Sequence, residues 1–364
     1  MRKLFIAMLV TLAPLLGSAF GQDLVVTVTF DGGGWFDRSF NEGTWSGLTR
    51  AVQELAGETA VDVLIYNGSA DTTATALRRM AATRLDLVVA AGFLQADAIN
   101  ETSPEFPGTR FVLIDEVANE NPNVRSVLFK DQEGSYLVGY LAGKLSQTGV
   151  VGFVGGMDVP LIRNFEQGYV LGVRAACPEC RVESQMVGDD FTAWDDPDTA
   201  RQIATQQAAR GADIIFAAAG ASGMGVIDFV NETRCYRPNG PTRTTPLTEA
   251  VAQAPKDPAY AAACGAGTQP LFFIGVDSNQ NYLGDIDGDG LPEVVVGTDS
   301  PPWGGEGTTP DYSKSTVWAI NGDSTNVSFL AWGWSTPLWL ALLATLAAGW
   351  VIGFFSGRHH YKGD

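Results

Sequence analysis

Residues 30–48 read FDGGGWFDRSFNEGTWSGL. An apolar run ends at the first of them, an aspartate and three glycines follow, and Trp45 and Leu48 then recur at helical spacing. Glycines allow the backbone to turn tightly at the end of a strand, and Ser39 or Asn41 can cap the helix that follows. The stretch therefore predicts a strand, a turn and a helix, a junction at which α/β proteins usually bind ligands. An ordinary loop whose aromatic rings pack into a core would show the same pattern.

Strand and helix patterns alternate twice along the chain. The first series predicts strands at 24–30, 61–66, 85–91 and 110–114 and helices at 41–56 and 72–83. The second series begins with a helix at 135–145 and predicts strands at 150–154, 181–187, 213–218 and 271–276, with helices at 165–175, 199–209 and 223–231. Strands separated by helices are typical of parallel sheets. We predict an α/β fold of two doubly wound parallel-sheet lobes.

Polar residues and glycines follow the predicted strands in both series. They are Asp31, Asn67, Gly92, Phe93 and Asp115 in the first lobe, and Gly155, Gly156, Asp158, Ala219, Gly220 and Asp277 in the second. Ligands of such sheets lie outside the carboxyl ends of the strands. Carboxylates accept hydrogen bonds from sugar hydroxyls, and aromatic rings stack on a flat heterocycle. The pattern favours a ligand with a sugar and a planar base, unless each aspartate simply caps the next helix.

The composition limits the class of protein. The chain has 364 residues, a formal net charge of −18 and 42 glycines, which fits a two-lobed α/β protein. The acidity argues against nucleic-acid binding, which needs a basic face. Arg2 and Lys3 precede an apolar run, and small residues follow it, so residues 1–21 are predicted to be a cleaved secretory signal.

The four cysteines are compatible with disulfides in an exported protein. Cys177 and Cys180 form a CPEC motif. Such a motif is compatible with a redox pair, a metal pair, a structural disulfide or two free thiols. No second such motif or nearby histidine completes a zinc site. Cys235 and Cys264 bracket an insertion rich in Pro, Thr and Ala, and the pairing of these two cysteines would staple a long loop.

The order of motifs resembles the basic membrane protein family, which contains the purine nucleoside receptors of ABC importers. The matching segments are residues 30–48, GFLQADAI, FVLID, FKDQEGSYLVGYLAGKL, VGFVGGMDVPLIRNFEQGYVLGV, GADIIFAAAGASGMGV and IGVDSNQ, within residues 25–281. The resemblance implies the type I periplasmic binding protein fold, with two lobes that close on a ligand by a hinge.

The resemblance also implies a set of ligand contacts. Phe40 and Phe216 would sandwich the base, Asp37 and Asn41 would contact the base edge, and Asp115 and Asp277 would bind the ribose hydroxyls. The further cleft residues would be Asp31, Gly92, Phe93, Gly220, Met224, Arg163 and Phe165. Family members continue after the GVDSNQ-like motif with a Ser/Met-Leu-Lys segment and a returning helix. Neither is recognisable here, although residues 293–298 (EVVVGT) could supply a return strand.

An acidic loop follows the second lobe. Residues 285–293 read DIDGDGLPE, in which Asp285, Asp287, Asp289 and Glu293 could surround Ca²⁺. The loop lacks the glutamate at position 12 of an EF-hand. With EVVVGT and VWAINGD it resembles a single FG-GAP-type repeat, and one repeat cannot bury its own face. A solvated acidic turn is the alternative, and no other cofactor is expected.

Residues 337–355 carry no charge and are long enough to span a bilayer. Trp332 and Trp334 precede them and a basic segment follows, which favours a cytoplasmic C-terminus. This region resembles the membrane segment of lipopolysaccharide assembly protein A-type proteins. The predicted organisation is signal peptide 1–21, first lobe 22–128, second lobe 129–282, atypical return segment 283–325, linker 326–336, transmembrane helix 337–355 and cytoplasmic tail 356–364.

We therefore predict an exported nucleoside-binding protein, anchored in the plasma or inner membrane with its lobes outside the cytoplasm, that works with an ABC permease. The alternatives are a membrane-anchored ligand sensor, a calcium-dependent interaction protein and an enzyme acting on nucleosides. Against an enzyme, Asp37 replaces the third glycine of GxGxxG. The two histidines, His359 and His360, lie beyond the predicted membrane helix.

Overall fold

The computed structural model describes residues 24–30, 34–56, 59–68, 70–82, 84–253, 264–278, 280, 328–329 and 334–335. Its helices are α1 (Phe40–Leu55), α2 (Ala70–Ala81), α3 (Ala96–Thr102), α4 (Asp131–Leu145), α5 (Pro160–Ala176), α6 (Pro197–Ala209), α7 (Gly223–Thr233) and α8 (Pro246–Gln253). Short 3₁₀ turns occupy Phe93–Gln95, Ser103–Glu105, Phe191–Trp194 and Gly220–Ser222. This alternation with strands confirms the predicted α/β fold class.

The first lobe is built on a five-stranded parallel sheet. Its strands are β1 (Leu24–Phe30), β2 (Val61–Asn67), β3 (Leu87–Ala91), β4 (Arg110–Ile114) and β5 (Val124–Val127), in the order β2-β1-β3-β4-β5. β1 is the strand that precedes the glycine turn, and its last five residues are buried. The carboxyl ends of β1, β3 and β4 therefore meet at one edge of the sheet, as the doubly wound topology requires.

The second lobe is built on a four-stranded parallel sheet. Its strands are β6 (Val150–Met157), β7 (Arg181–Gly188), β8 (Ile214–Ala218) and β11 (Phe272–Ile274), in the order β11-β8-β6-β7. Alternate residues of β8 belong to two cores. Ile214 and Phe216 face a core shared with α4 and α5, while Ile215 and Ala217 face a core shared with α6 and α7. Both faces of this sheet are thus covered, which is why β6, β8 and β11 read as apolar runs.

Helices α4 and α5 pack closely because glycines face each other across the contact. A Cβ at Gly139 would overlap the carbonyl oxygen of Tyr169, and a Cβ at Gly172 would overlap the carbonyl oxygen of Tyr136. The predicted helices at 135–145 and 165–175 both begin earlier than expected, at Asp131 and Pro160. The close contact fixes α4 against α5.

Gly172→Ala is therefore expected to lower the free energy of unfolding by roughly 3 kcal/mol, because the added methyl group forces two helix backbones apart. Gly47→Ala is the matched control, since Gly47 lies inside α1 with no atom within 4 Å of an added Cβ. That control should gain about 0.5–1 kcal/mol from its better helix propensity. Urea denaturation of both variants measures the difference, and equal stabilities would contradict the packing argument.

The insertion of the second lobe is tied to the body by disulfide and hydrogen bonds. The structure pairs Cys235 with Cys264, next to the short antiparallel strands β9 (Cys235–Tyr236) and β10 (Gln269–Pro270). Arg243 donates Nη1 to the carbonyl oxygens of Gly143 and Ser146, at 3.1 and 2.8 Å. These bonds satisfy carbonyl groups at the C-terminal end of α4. Cys177 is paired with Cys180 directly after α5.

Several predicted segments lie outside the described residues. They are the signal peptide, the return strand at 293–298, the acidic loop with Asp285, Asp287, Asp289 and Glu293, and the span at 337–355. Two short strands, β12 (Ser328–Phe329) and β13 (Trp334–Ser335), form an antiparallel pair in the C-terminal part. Among the helices that the structure describes, none combines the length and the apolar character needed to cross a bilayer.

Candidate functional site

A cleft lies between the two lobes, where the carboxyl ends of their strands face each other. The space inside it is about 600 Å³, which includes open solvent at its mouth. The residues that line it are Asp37, Phe40, Asn41, Gly92, Phe93 and Asp115 from the first lobe, and Leu161, Ile162, Phe165, Trp194, Ala218, Gly220, Ala221, Val276 and Asp277 from the second. We call this space the inter-lobe cleft.

Asp37 lies at the turn that follows the glycines, and it caps α1. Its Oδ1 accepts hydrogen bonds from the backbone N–H groups of Ser39 and Glu42, at 2.9 and 3.0 Å, and its Oδ2 accepts one from that of Asn41, at 3.0 Å. Burial raises the pKa of Asp37, although these three bonds act in the opposite direction. The aspartate thus both caps a helix and lines the cleft, so the two interpretations of the sequence are compatible.

Asp115 and Asp277 hold equivalent positions in the two lobes. Asp115 follows β4 and Asp277 follows the strand β11, and both have a left-handed backbone with φ of 68°. A positive φ is uncommon for residues other than glycine, and aspartate and asparagine tolerate it best. Such backbone conformations cluster at ligand sites. Here they aim two carboxylates into one cleft from opposite sides.

Asp277 is held by the first lobe. Ser39 donates its hydroxyl to Oδ2 of Asp277 at 2.8 Å, across the boundary between the lobes. The pKa of Asp277 is raised to about 7, chiefly by the desolvation of its carboxyl, which is enclosed by protein except where it borders the cleft. Within this net rise the Ser39 hydrogen bond lowers the pKa, and the nearby carboxylates of Asp37 and Asp131 raise it. Asp277 therefore titrates near neutral pH.

Aromatic rings form the apolar walls of the cleft. Phe40 begins α1, Phe93 follows the positive-φ residue Gly92, and Phe165 lies on α5. Trp194 ends a 3₁₀ turn of the second lobe, and its ring lies 6.3 Å from that of Phe93 in an edge-on arrangement. No sequence motif marked Trp194 as a cleft residue. Aromatic groups of both lobes are therefore available to pack against a flat ring in the cleft.

Trp194 is fixed by a buried serine. Ser222 accepts a hydrogen bond from the backbone N–H of Asp196 at 2.7 Å and donates one to the carbonyl oxygen of Ala193 at 2.8 Å. The indole also packs over Gly156, where a Cβ would come within 2.5 Å of the ring. The turn that carries Trp194 and the turn that carries Gly220 are thus joined.

The predicted stacking role of Phe216 is wrong in this structure. Phe216 is 2% exposed and packs against Phe153 and Tyr169, with ring centroids 5.5 and 5.2 Å away. It lies two residues before the end of β8, so its side chain points into the core of the second lobe. Ala218, at the strand end, lines the cleft instead.

Arg163 and Met224 also lie away from the cleft, contrary to the prediction. Arg163 is on α5 between the lining residues Ile162 and Phe165, but the helical turn directs it outward. There it forms a bidentate pair with Asp158 at 2.7 Å. Met224 packs on the core formed with α6 and α7. Asp31 lies outside the described residues.

The other predicted contacts do surround the cleft. They are Asp37, Phe40, Asn41, Gly92, Phe93, Asp115, Phe165, Gly220 and Asp277. The described residues that line the cleft include no lysine or arginine. A ligand that fits this site presents hydrogen-bond donors to the carboxylates and a flat apolar surface to the rings.

Comparison with known proteins relates the chain to one family. The family model Bmp, described as ABC transporter substrate-binding protein PnrA-like, matches residues 24–241. The CD4+ T-cell-stimulating antigen of Listeria monocytogenes is 37% identical over 207 residues, which are 56% of this chain and 57% of that protein. The ABC transporter nucleoside-binding protein BmpA of Lactococcus lactis is 29% identical over 281 residues, which are 76% of this chain and 71% of the relative.

One solved structure agrees with this relationship. An ABC transporter solute-binding protein of Aeropyrum pernix superposes with a TM-score of 0.55 at 27% identity, covering 71% of this chain and 64% of that one. The chain spans just over half, 57%, of the length of the Listeria protein. The family match covers the first sheet, three of the four strands of the second sheet and the cleft residues up to Ala221, and it is the decisive finding. The chain belongs to the PnrA-like family of ABC transporter substrate-binding proteins.

Proposed function

We propose that the chain binds a nucleoside, with a purine base, in the inter-lobe cleft and presents it to an ABC permease. The observation that carries this proposal is the composition of the cleft, in which Phe40, Phe93 and Trp194 offer ring faces and edges beside the carboxylates of Asp115 and Asp277. The base stacks among the rings, and the ribose hydroxyls donate hydrogen bonds to the two carboxylates. The nucleoside-binding relative of Lactococcus lactis supports this ligand class.

The charge of the cleft further restricts the ligand. Asp37, Asp115 and Asp277 line it without a lysine or arginine among the described lining residues. A phosphate group would bring negative charge next to carboxylates in a partly desolvated space, where like charges repel strongly. Nucleosides should therefore bind and their phosphates should not.

Isothermal titration calorimetry of the full chain tests the proposal with guanosine, inosine and adenosine. We expect saturable binding of one nucleoside per chain. At a ligand concentration of 100 times the dissociation constant, binding stabilises the folded state by about 2.7 kcal/mol, which should raise the melting temperature by a few degrees.

Ribose, free guanine and guanosine monophosphate are the controls. Ribose lacks the base, guanine lacks the ribose, and guanosine monophosphate adds negative charge. Each should therefore bind at least ten times more weakly than the nucleoside. The absence of both heat and a thermal shift with every nucleoside would refute the proposed ligand class. Binding without turnover is expected, because the family consists of substrate-binding proteins; release of a free base during incubation would favour an enzyme.

The finer features proposed from the sequence accompany this function. We propose export by the leader at 1–21, the lobes at 22–128 and 129–282, and a membrane anchor at 337–355, which would keep the cleft outside the cytoplasm. The acidic loop at 285–293 would bind Ca²⁺ in the FG-GAP-type manner. Membrane fractionation of the full chain tests the proposed anchor, and calcium-dependent melting tests the proposed calcium loop. Both tests are independent of the ligand.

A further inference from the structure

The two lobes are joined at one side of the cleft by a small group of polar contacts. On the first lobe it consists of Arg38 and Ser39, and on the second of Asp277, Ser278 and Gln280. Ser39 donates to Asp277, while Ser278 Oγ and Gln280 Nε2 donate to the carbonyl oxygen of Arg38, at 2.8 and 2.7 Å. We call these five residues the inter-lobe junction.

We infer that Ser39 is a positioning residue for the ligand: its hydroxyl, supplied by the first lobe, keeps the Asp277 carboxylate of the second lobe charged and oriented in the cleft. The inference rests on the proposed function, since it assigns a role to Asp277 in binding a ligand hydroxyl. It goes beyond that function because Ser39 itself does not line the cleft. Ser39 is fully buried and acts through its neighbour.

The hydroxyl of Ser39 is available for this role because another residue caps α1. A serine at the residue before a helix normally accepts a hydrogen bond from the first turn. Here the Ser39 side chain makes no such bond, and the carboxylate of Asp37 accepts the N–H groups of Ser39, Asn41 and Glu42 instead. The helix therefore does not require the Ser39 hydroxyl, which donates to Asp277.

The charges around Asp277 make this single bond decisive. The titratable groups that face Asp277 are Asp37, before α1, and Asp131, at the start of α4, and both are carboxylates. Arg38 contributes its carbonyl oxygen to the junction, and its side chain is exposed. Among the described residues, the Ser39 hydroxyl is the group that favours the ionised form of Asp277. Without it, desolvation and two like charges favour protonation.

The geometry also restricts which oxygen reaches the ligand. Oδ2 of Asp277 accepts the Ser39 hydroxyl, so Oδ1 is the oxygen that has no hydrogen bond to the described protein. An ionised Oδ1 accepts a charge-assisted hydrogen bond from a ligand hydroxyl, whereas a protonated carboxyl forms only the weaker bond between neutral groups. Ser39 thus extends toward neutral pH the range in which a charged acceptor faces the cleft.

Ser39→Ala and its matched control Ser278→Ala test the inference in the full chain. Both remove a buried hydroxyl that bridges the lobes, but only Ser39 contacts the Asp277 carboxylate. Affinity for guanosine, measured by calorimetry between pH 5 and 9, should fall as the pH drops through the titration of Asp277. We expect Ser39→Ala to move that midpoint upward by roughly one pH unit, and Ser278→Ala and Ser39→Thr to leave it in place.

A measurement without ligand separates this inference from the proposed function. The pH dependence of the melting temperature reports the titration of Asp277 directly. In the Ser39→Ala variant, the pH-dependent change in melting temperature should continue to higher pH. The same substitution in an Asp277→Asn background should produce no such shift. Equal shifts for Ser39→Ala and Ser278→Ala, or a shift that persists with Asp277→Asn, would overturn the role of Ser39. Failure of guanosine binding alone would overturn only the ligand.

Discussion

Replacing Trp194 with alanine is expected to weaken nucleoside binding by one to two orders of magnitude. The indole lines the second-lobe side of the cleft and lies edge-on to Phe93 of the first lobe. Stacking of a base on an aromatic side chain contributes about 1–3 kcal/mol by alanine substitution, which corresponds to this loss. Calorimetry with guanosine measures the change, and Trp194→Phe should retain most of the affinity because it keeps a ring at the site.

Phe216→Leu is the matched control for Trp194→Ala. Phe216 packs in the core of the second lobe, so its shortening should reduce the free energy of unfolding by about 1–2 kcal/mol without changing the affinity. The two variants thus distinguish a base stacked on Phe216, which the family resemblance implies, from a base packed against Trp194, which the structure favours. If Phe216→Leu abolished binding at an unchanged melting temperature while Trp194→Ala bound normally, the assignment of the cleft walls would be wrong.

Much of the fold follows from local patterns. β1 and β4 begin and end at the predicted residues, because both are apolar runs followed by an aspartate. β5 was not predicted, since VRSV is short and only its first residue is buried. α8 was also missed, because it lies in an insertion whose composition suggests a loop. In both cases tertiary contacts, rather than a local periodicity of apolar residues, determine the structure.

The sequence predicted the site residues that follow strand ends. It did not predict which aromatic side chains line the cleft. Asp115 directly follows β4 and Asp277 lies three residues after β11, and both line the cleft. Phe216 lies on the same face of β8 as Ala218 but two residues deeper in the lobe, and the motif alone does not show how far the cleft extends along the strand. Trp194 lies on a short turn between β7 and α6, and no strand end marks it. The aspartate–proline helix start that follows Trp194 was the one signal that a fixed turn precedes it.

Asp277→Asn is expected to stabilise the folded chain at pH 8 while it weakens ligand binding. The pKa of Asp277 is about 7 in the folded state, against 3.8 for an unperturbed carboxyl. Because the folded state binds this proton more tightly than the unfolded state, the free energy of unfolding decreases as the pH rises from about 4 to 7. Above pH 7 the full cost of burying the charge is present. Removing the charge should recover about 2–4 kcal/mol at pH 8 and almost nothing at pH 4.

The matched control for this prediction is Asp158→Asn, a carboxylate whose pKa is lowered by Arg163. That substitution should reduce stability slightly at neutral pH and not increase it. Urea denaturation at pH 4, 6 and 8 measures both variants, and a loss of stability at pH 8 with Asp277→Asn would contradict the expected sign. A residue whose removal stabilises the fold is not retained for packing. Keeping Asp277 charged near two other carboxylates costs stability. A binding role for the Asp277 carboxylate explains this cost, because a ligand hydroxyl would donate to Oδ1, which accepts no hydrogen bond from the described protein.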